Sequence, residues 1–159
     1  MSKVDITTAV DTANHFQAEY EYLKIFVRFP QDQRKYTFVN GTASERTIAA
    51  GTLCGILTSD QTIVQPVESD ATDGSQKPVC ITMADIVIAA GASIEVEALL
   101  GFDGSFYADK VVLEKSGDTL DTLITEEGQS IRLALKSYNN DLSIVDAAVE
   151  QSDYMNSQV

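Results

Sequence analysis

Tryptophan is absent from the chain, histidine occurs once, cysteine twice and proline three times, and basic residues are few, with 11 Lys and Arg against 24 Asp and Glu. Each scarcity removes a class of function. Without tryptophan the usual flat platform for a sugar ring is missing. A carbohydrate-binding fibre module is therefore the weakest of the readings considered. The one histidine, His15, lies in a polar opening segment where nothing would hold it beside a nucleophile, so Ser-His-Asp and Cys-His chemistry lack their base. Cys54 and Cys80 stand among apolar neighbours, in Leu53-Cys54-Gly55-Ile56 and Val79-Cys80-Ile81. Neither a CxxC motif nor a Cys/His metal spacing is present, and buried free thiols are expected.

The formal charge of −13 and the lack of a Lys/Arg cluster disfavour direct contact with nucleic acid and with anionic membranes. An acidic surface serves first as a solubility device, and second as an attraction for a basic protein surface. No run approaches the roughly 18 apolar residues of a membrane span, and the opening residues carry no apolar core of signal-peptide type. A reducing cytoplasm without membrane attachment is the expected place of assembly. At 159 residues with 44% hydrophobic and 22% charged content, the chain fits one domain with an extension and can bury a core.

What is present is mostly β texture. Residues 1–20 show no sustained period and are expected to form an extended arm ordered by contact with something else. Residues 21–48 are a strand-rich lead-in: Tyr22 to Phe29 is closed by Pro30, and Lys35 to Val39 is followed by Asn40-Gly41, the signature of a two-residue hairpin turn. Gly51 to Leu57 predicts a buried strand with glycine where another backbone approaches, and Thr62-Ile63-Val64 a second one. The breaker-rich stretch from Glu68 to Pro78 predicts a surface loop, after which Val79 to Thr82 resumes extended structure. Ile86 to Ala92 leads into Ile94-Glu95-Val96-Glu97-Ala98, whose alternation puts both glutamates on a wet face. That solvated reading outweighs a pair of catalytic carboxylates. Asp103-Gly104 between Phe102 and Phe106 predicts another hairpin, and Val111-Val112-Leu113 a further strand.

Only the end has helical spacing. Thr125 is the expected cap, Glu126 and Glu127 suit the first turn, and Ile131, Ala134, Leu135 and Tyr138 share a face up to a stop at Asn139-Asn140. Leu142 to Val145 is a closing strand, and residues 147–159 form an acidic tail. The expected fold class is thus mainly β (α+β), with one late helix and an extended N-terminal arm. No phosphate-cradling loop or HExxH motif occurs. The Asp70 to Gly74 loop lacks the ligand ladder of an EF-hand, so no metal, cofactor or catalytic residue is assigned.

From about Ala49 to Val145 the chain resembles the head decoration proteins of lambda-like tailed bacteriophages. The carriers are Ala50 to Leu57, similar to that family's glycine-spaced strand, and the Asp73-Gly74 loop running into Val79-Cys80-Ile81. They continue with Val96 to Phe106, similar to a glycine-containing hairpin, and the amphipathic stretch Gln129 to Tyr138 followed by Asp141 to Val145. The chain departs from the pattern in a longer, more aromatic segment from Tyr20 to Val39 and in its tail.

The resemblance implies a compact, tulip-like β domain over 49–146 that caps the outer surface of the expanded virion shell as a homotrimer. It implies assembly in the host cytoplasm and an arm on the major capsid protein, with Val4, Ile6, Val10, Phe16, Tyr20 and Tyr22 as its capsid-binding residues. The competing expectation is a trimeric, metal-dependent nucleotide hydrolase that uses Asp70, Asp73 and Asp103 with Mg²⁺.

Overall fold

The computed structural model describes residues 25–96 and 100–146. Eleven short strands, one α-helix and a 3-10 turn (Ala108–Lys110) are the regular elements of the described residues: β1 (Phe26–Arg28), β2 (Tyr36–Val39), β3 (Arg46–Ile48), β4 (Leu53–Ile56), β5 (Val64–Pro66), β6 (Cys80–Thr82), β7 (Ile86–Ile88), β8 (Ser93–Val96), β9 (Leu100–Gly101), β10 (Gly104–Tyr107), α1 (Ile131–Tyr138) and β11 (Leu142–Val145). The protein is mainly β with one late helix.

At its centre lies a four-stranded antiparallel sheet in the order β5-β4-β6-β9. Strands β4 and β6 are almost unbroken apolar runs, and successive side chains of a strand point to opposite faces. Leu53 and Ile81 accordingly enter one core with Phe26, Phe106, Ile131, Leu135 and Leu142. Cys54 and Cys80 enter another with Phe38, Ile48, Val64, Ile88, Val96 and Leu100. The first core is covered by the sheet β1-β10-β11 together with α1, the second by the two-stranded ladders β2-β8 and β3-β7. A sheet covered on both faces needs apolar residues at consecutive positions, which is why β4 and β6 show no alternation.

Both predicted two-residue hairpins are overturned. β2 pairs with β8, and β3 with β7, so Asn40-Gly41 joins no hairpin. Asn40 is instead fully buried: its Nδ2 faces the carbonyls of Ser44, Ile88 and Ala89 at 2.8–3.1 Å, while its Oδ1 accepts from the Thr42 N–H at 3.0 Å. The side chain acts as a hub that sends β3 away to a different partner. At Asp103-Gly104 the chain changes sheets, because β9 pairs with β6 whereas β10 pairs antiparallel with β1 and parallel with β11. Gly104 makes this corner with φ of 102°. The Asp103 carboxylate accepts the N–H groups of Gln31 and Asp32, each at 2.7 Å, and so pins the turn that follows β1.

Other expectations shift more modestly. Val111-Val112-Leu113 forms one bridge, Thr52 to Val112, rather than a strand. The run at Thr62 becomes strand only from Val64. The loop 68–78 is not wholly at the surface, since Ser69, Ser75 and Gln76 are buried. Gly55 permits this: a methyl there would lie 2.6 Å from the Lys77 carbonyl oxygen and nearer still to that of Ser75.

The helix begins later than Thr125. Gly128, at φ of 67°, ends a tight turn in which the Gly128 N–H donates to Ile124 at 2.8 Å. Ser130 then caps α1 through its Oγ, which accepts the Leu133 N–H at 3.2 Å. Ile131, Ala134 and Leu135 face the core as their spacing requires. At the other end Asn139 is extended (φ −146°) rather than left-handed. Its Nδ2 donates to the carbonyls of Val79 and Phe102 at 2.7 and 2.6 Å, tying the helix end to the central sheet and the sheet-changing corner.

Replacing Gly104 with alanine would force a side chain into a positive-φ position 2.7 Å from the Arg28 carbonyl oxygen. The expected loss is about 2–4 kcal/mol by urea unfolding. Gly117→Ala, at φ of 89° but with open space around it, should cost only about 1–2 kcal/mol. Equal losses at the two positions would show that the corner is not constrained as described.

Candidate functional site

Val4, Ile6, Val10, Phe16, Tyr20 and Tyr22 lie outside the described residues, as does the tail 147–159. What the structure does describe is where the segment before residue 25 joins the body. The segment leads into β1, which stands at the edge of its sheet: the order β1-β10-β11 gives β1 a neighbour on one side only among the described strands. Its register with β10 slips between Phe26 and Arg28. Phe26 is buried, whereas Val27 is 49% exposed. An edge strand of this kind leaves one row of backbone N–H and C=O groups open to pairing.

The three carboxylates proposed for a metal site are not brought together. Asp70 pairs with Lys115 at 2.6 Å, Asp73 accepts the N–H and Oγ of Ser75 at 3.0 and 2.6 Å, and Asp103 holds the turn after β1. Among the described residues no group of three or more His, Cys, Asp or Glu could hold a metal ion. The Lys115 ammonium, through its bond to Asp70, lowers that carboxyl below its ordinary range, and Asp70 in turn raises Lys115. Beside them the Asp118 carboxylate accepts the Ser69 N–H and Oγ at 2.9 and 2.8 Å. These carboxylates tie loop 68–78 to the segment before α1.

Glu95 is exposed and pairs with Lys35 across the β2-β8 ladder, in keeping with a solvated face, while Glu97 lies outside the described residues. Ile94 is 38% exposed, although it alternates with the buried Val96 and stands opposite the buried Phe38.

Described residues line at least two surface clefts. One, of about 230 Å³, is lined by Arg34, Phe102, Tyr138 and Asn139, with the Arg34 guanidinium 4.7 Å from the centre of the Phe102 ring. Tyr36 stacks on Phe102 with ring centres 5.4 Å apart. The other, of about 390 Å³, lies between Ala108 to Leu113 and Asp118 to Asp121, with Arg132 at its rim. Arg132 is occupied by Asp146 at 2.6 Å and Asp121 at 3.4 Å. Neither cleft was visible in the sequence, since their lining residues come from distant segments and form no local motif. Exposed apolar side chains include Val87, Leu123 and Leu133, the last two flanking Ser130. No helix among the described residues is long and apolar enough to cross a membrane.

Compared with known proteins, the chain matches no family model and no curated protein.

Cys54 and Cys80 are fully buried free thiols, as expected. Burial first, and then the neighbouring Cys80 thiol, pushes the Cys54 thiol well above its ordinary value of 9.0. The folded protein thus keeps a proton that the unfolded chain releases, so the stability tied to it is complete below the unfolded value and declines as pH climbs past it. The expected urea midpoint is flat between about pH 7 and pH 8 and falls above about pH 8.5. Cys54→Ala should flatten that fall, and an unchanged slope in this variant would refute the assignment.

Asp103→Asn is expected to lose about 1–2 kcal/mol, because two backbone donors lose a charged acceptor. Asp70→Asn, which removes only an exposed ion pair, should leave the unfolding midpoint unchanged.

Proposed function

We propose that the chain is a head decoration protein: a homotrimer that binds the outer surface of an expanded phage capsid and stabilises it against the pressure of packaged DNA. Its partner in this reading is the major capsid protein, its place is the virion exterior, and it acts without cofactor or catalysis. The observation that carries the reading is the edge position of β1 directly after the opening segment. A leader that continues from an open sheet edge is placed to add main-chain hydrogen bonds to a strand of a neighbouring lattice. Further support comes from the order of elements, with a glycine-spaced β4 ahead of an Asp-Gly loop and a capped helix that leads straight into a closing strand.

Ordering an extended arm costs roughly 1–2 kcal/mol per residue in backbone entropy, so a single arm binds weakly. Three arms on one rigid trimer rebind at high effective concentration, and the combination exceeds any one of them by about 10²–10⁴. A formal charge of −13 keeps free trimers apart from one another and from the genome.

Deleting residues 1–20 and mixing the product with undecorated, expanded heads should reduce occupancy by about 100-fold or more, in line with lost multivalency. Unchanged occupancy would overturn the arm's role. Light scattering on the intact protein should return three times the 17.2 kDa chain mass, and a monomer at every concentration would remove the clamp.

A further inference from the structure

Strands β4 and β6 are antiparallel neighbours, and in their register Cys54 stands directly opposite Cys80. Opposed residues of an antiparallel ladder have Cα atoms about 4.5–5.5 Å apart. Disulfides span Cα separations of about 4.4–6.8 Å, so the backbone already holds the two cysteines within bonding range. Both side chains project from the same face of the sheet into the same core. Their sulfurs also converge on one stretch of backbone: the Cys54 thiol donates to the Thr52 carbonyl at 3.6 Å and the Cys80 thiol to the Cys54 carbonyl at 3.7 Å. Both thiols are free in this structure.

We propose that Cys54 and Cys80 are an internal redox latch, open as two thiols under reducing conditions and closed as an intrachain disulfide when a low-molecular-weight disulfide such as oxidised glutathione is in excess. One cysteine thiolate attacks a glutathione sulfur, and one glutathione leaves as a thiol. The second cysteine thiolate then attacks the mixed disulfide and releases the second glutathione. Two protons and two electrons pass from the protein to the oxidant, and one S–S bond replaces two S–H bonds.

Because both sulfurs are sealed from solvent, the first attack needs a transient opening of the sheet. Closure is therefore slow in plain buffer and faster in mild urea. Once made, the bond closes a loop that contains β5 and the whole of 68–78, and it restricts the unfolded chain accordingly. The latch stands independently of capsid attachment.

The test uses the full chain held in excess oxidised glutathione, in buffer and in sub-denaturing urea. The product is then alkylated in denaturant and cut with a glutamate-specific protease, which separates the two cysteines at Glu68. The expected product is a linked pair of peptides carrying Cys54 and Cys80, an intact mass lower by about two hydrogens, and a Tm higher by about 5–15 °C. Cys54→Ala and Cys80→Ala should show no link and no oxidant-dependent rise in Tm. The proposal is overturned if both thiols remain open to alkylation after oxidation in urea, or if only mixed disulfides with glutathione accumulate. It is equally overturned if the link forms and Tm fails to rise.

Discussion

Everything in this protein is arranged around a small sheet that is dry on both sides. β4 and β6 contribute Leu53 and Ile81 to one core and Cys54 and Cys80 to the other, and all four are completely buried. A strand in that position can present no polar side chain to water on either face, so its neighbours must supply two separate covers. That requirement accounts for the division of the remaining strands into the β1-β10-β11 sheet with α1 on one side and two narrow ladders on the other. It also accounts for the changes of direction between them, since a chain of short strands must cross repeatedly from one layer to another.

Those crossings are held by polar side chains rather than by standard turns. Asn40, Asn139 and Asp103 each bind backbone groups from segments far away in sequence. A buried backbone donor or acceptor without a partner is costly, and irregular connections leave more of them than regular strands do. Among the described residues every buried side-chain nitrogen and oxygen has a partner. Asp103, Asp73 and Asp118 also act in this way, as charged struts for loops.

Fold class was legible because apolar runs bounded by glycine, proline and aspartate report strands directly, and Ile131, Ala134 and Leu135 report a helical face. The buried thiols could be foreseen from their neighbours, and so could the glycine at position 55 where another backbone approaches. Pairing was not legible. Asn-Gly and Asp-Gly predict hairpins on local preference, but Asn40 is used for its amide and Gly104 for a turn between layers. Local sequence carries nothing about which distant segment offers the carbonyls of Ile88 and Ala89, or that Gln31 and Asp32 need an acceptor. The helix start was misplaced for a similar reason: Thr125 and Ser130 are both good caps, and Gly128 between them decides for the later one. Of the candidate site, the acidic triad failed because shared residue type is no measure of proximity, and the edge position of β1 depends on strand order, which periodicity does not encode.

The long reach between β1 and its partner has a consequence for biosynthesis. Phe26 pairs with Phe106, and β10 in turn is flanked by β11. As the nascent polypeptide emerges from the ribosome, β1 appears before any other described strand yet has nowhere to pair until the chain past Tyr107 has followed it. The antiparallel pairs among β2 to β8 lie closer together and can close while β1 waits, since nearby contacts form faster than distant ones. β1 is therefore set in place late in folding, after most of the body has been translated.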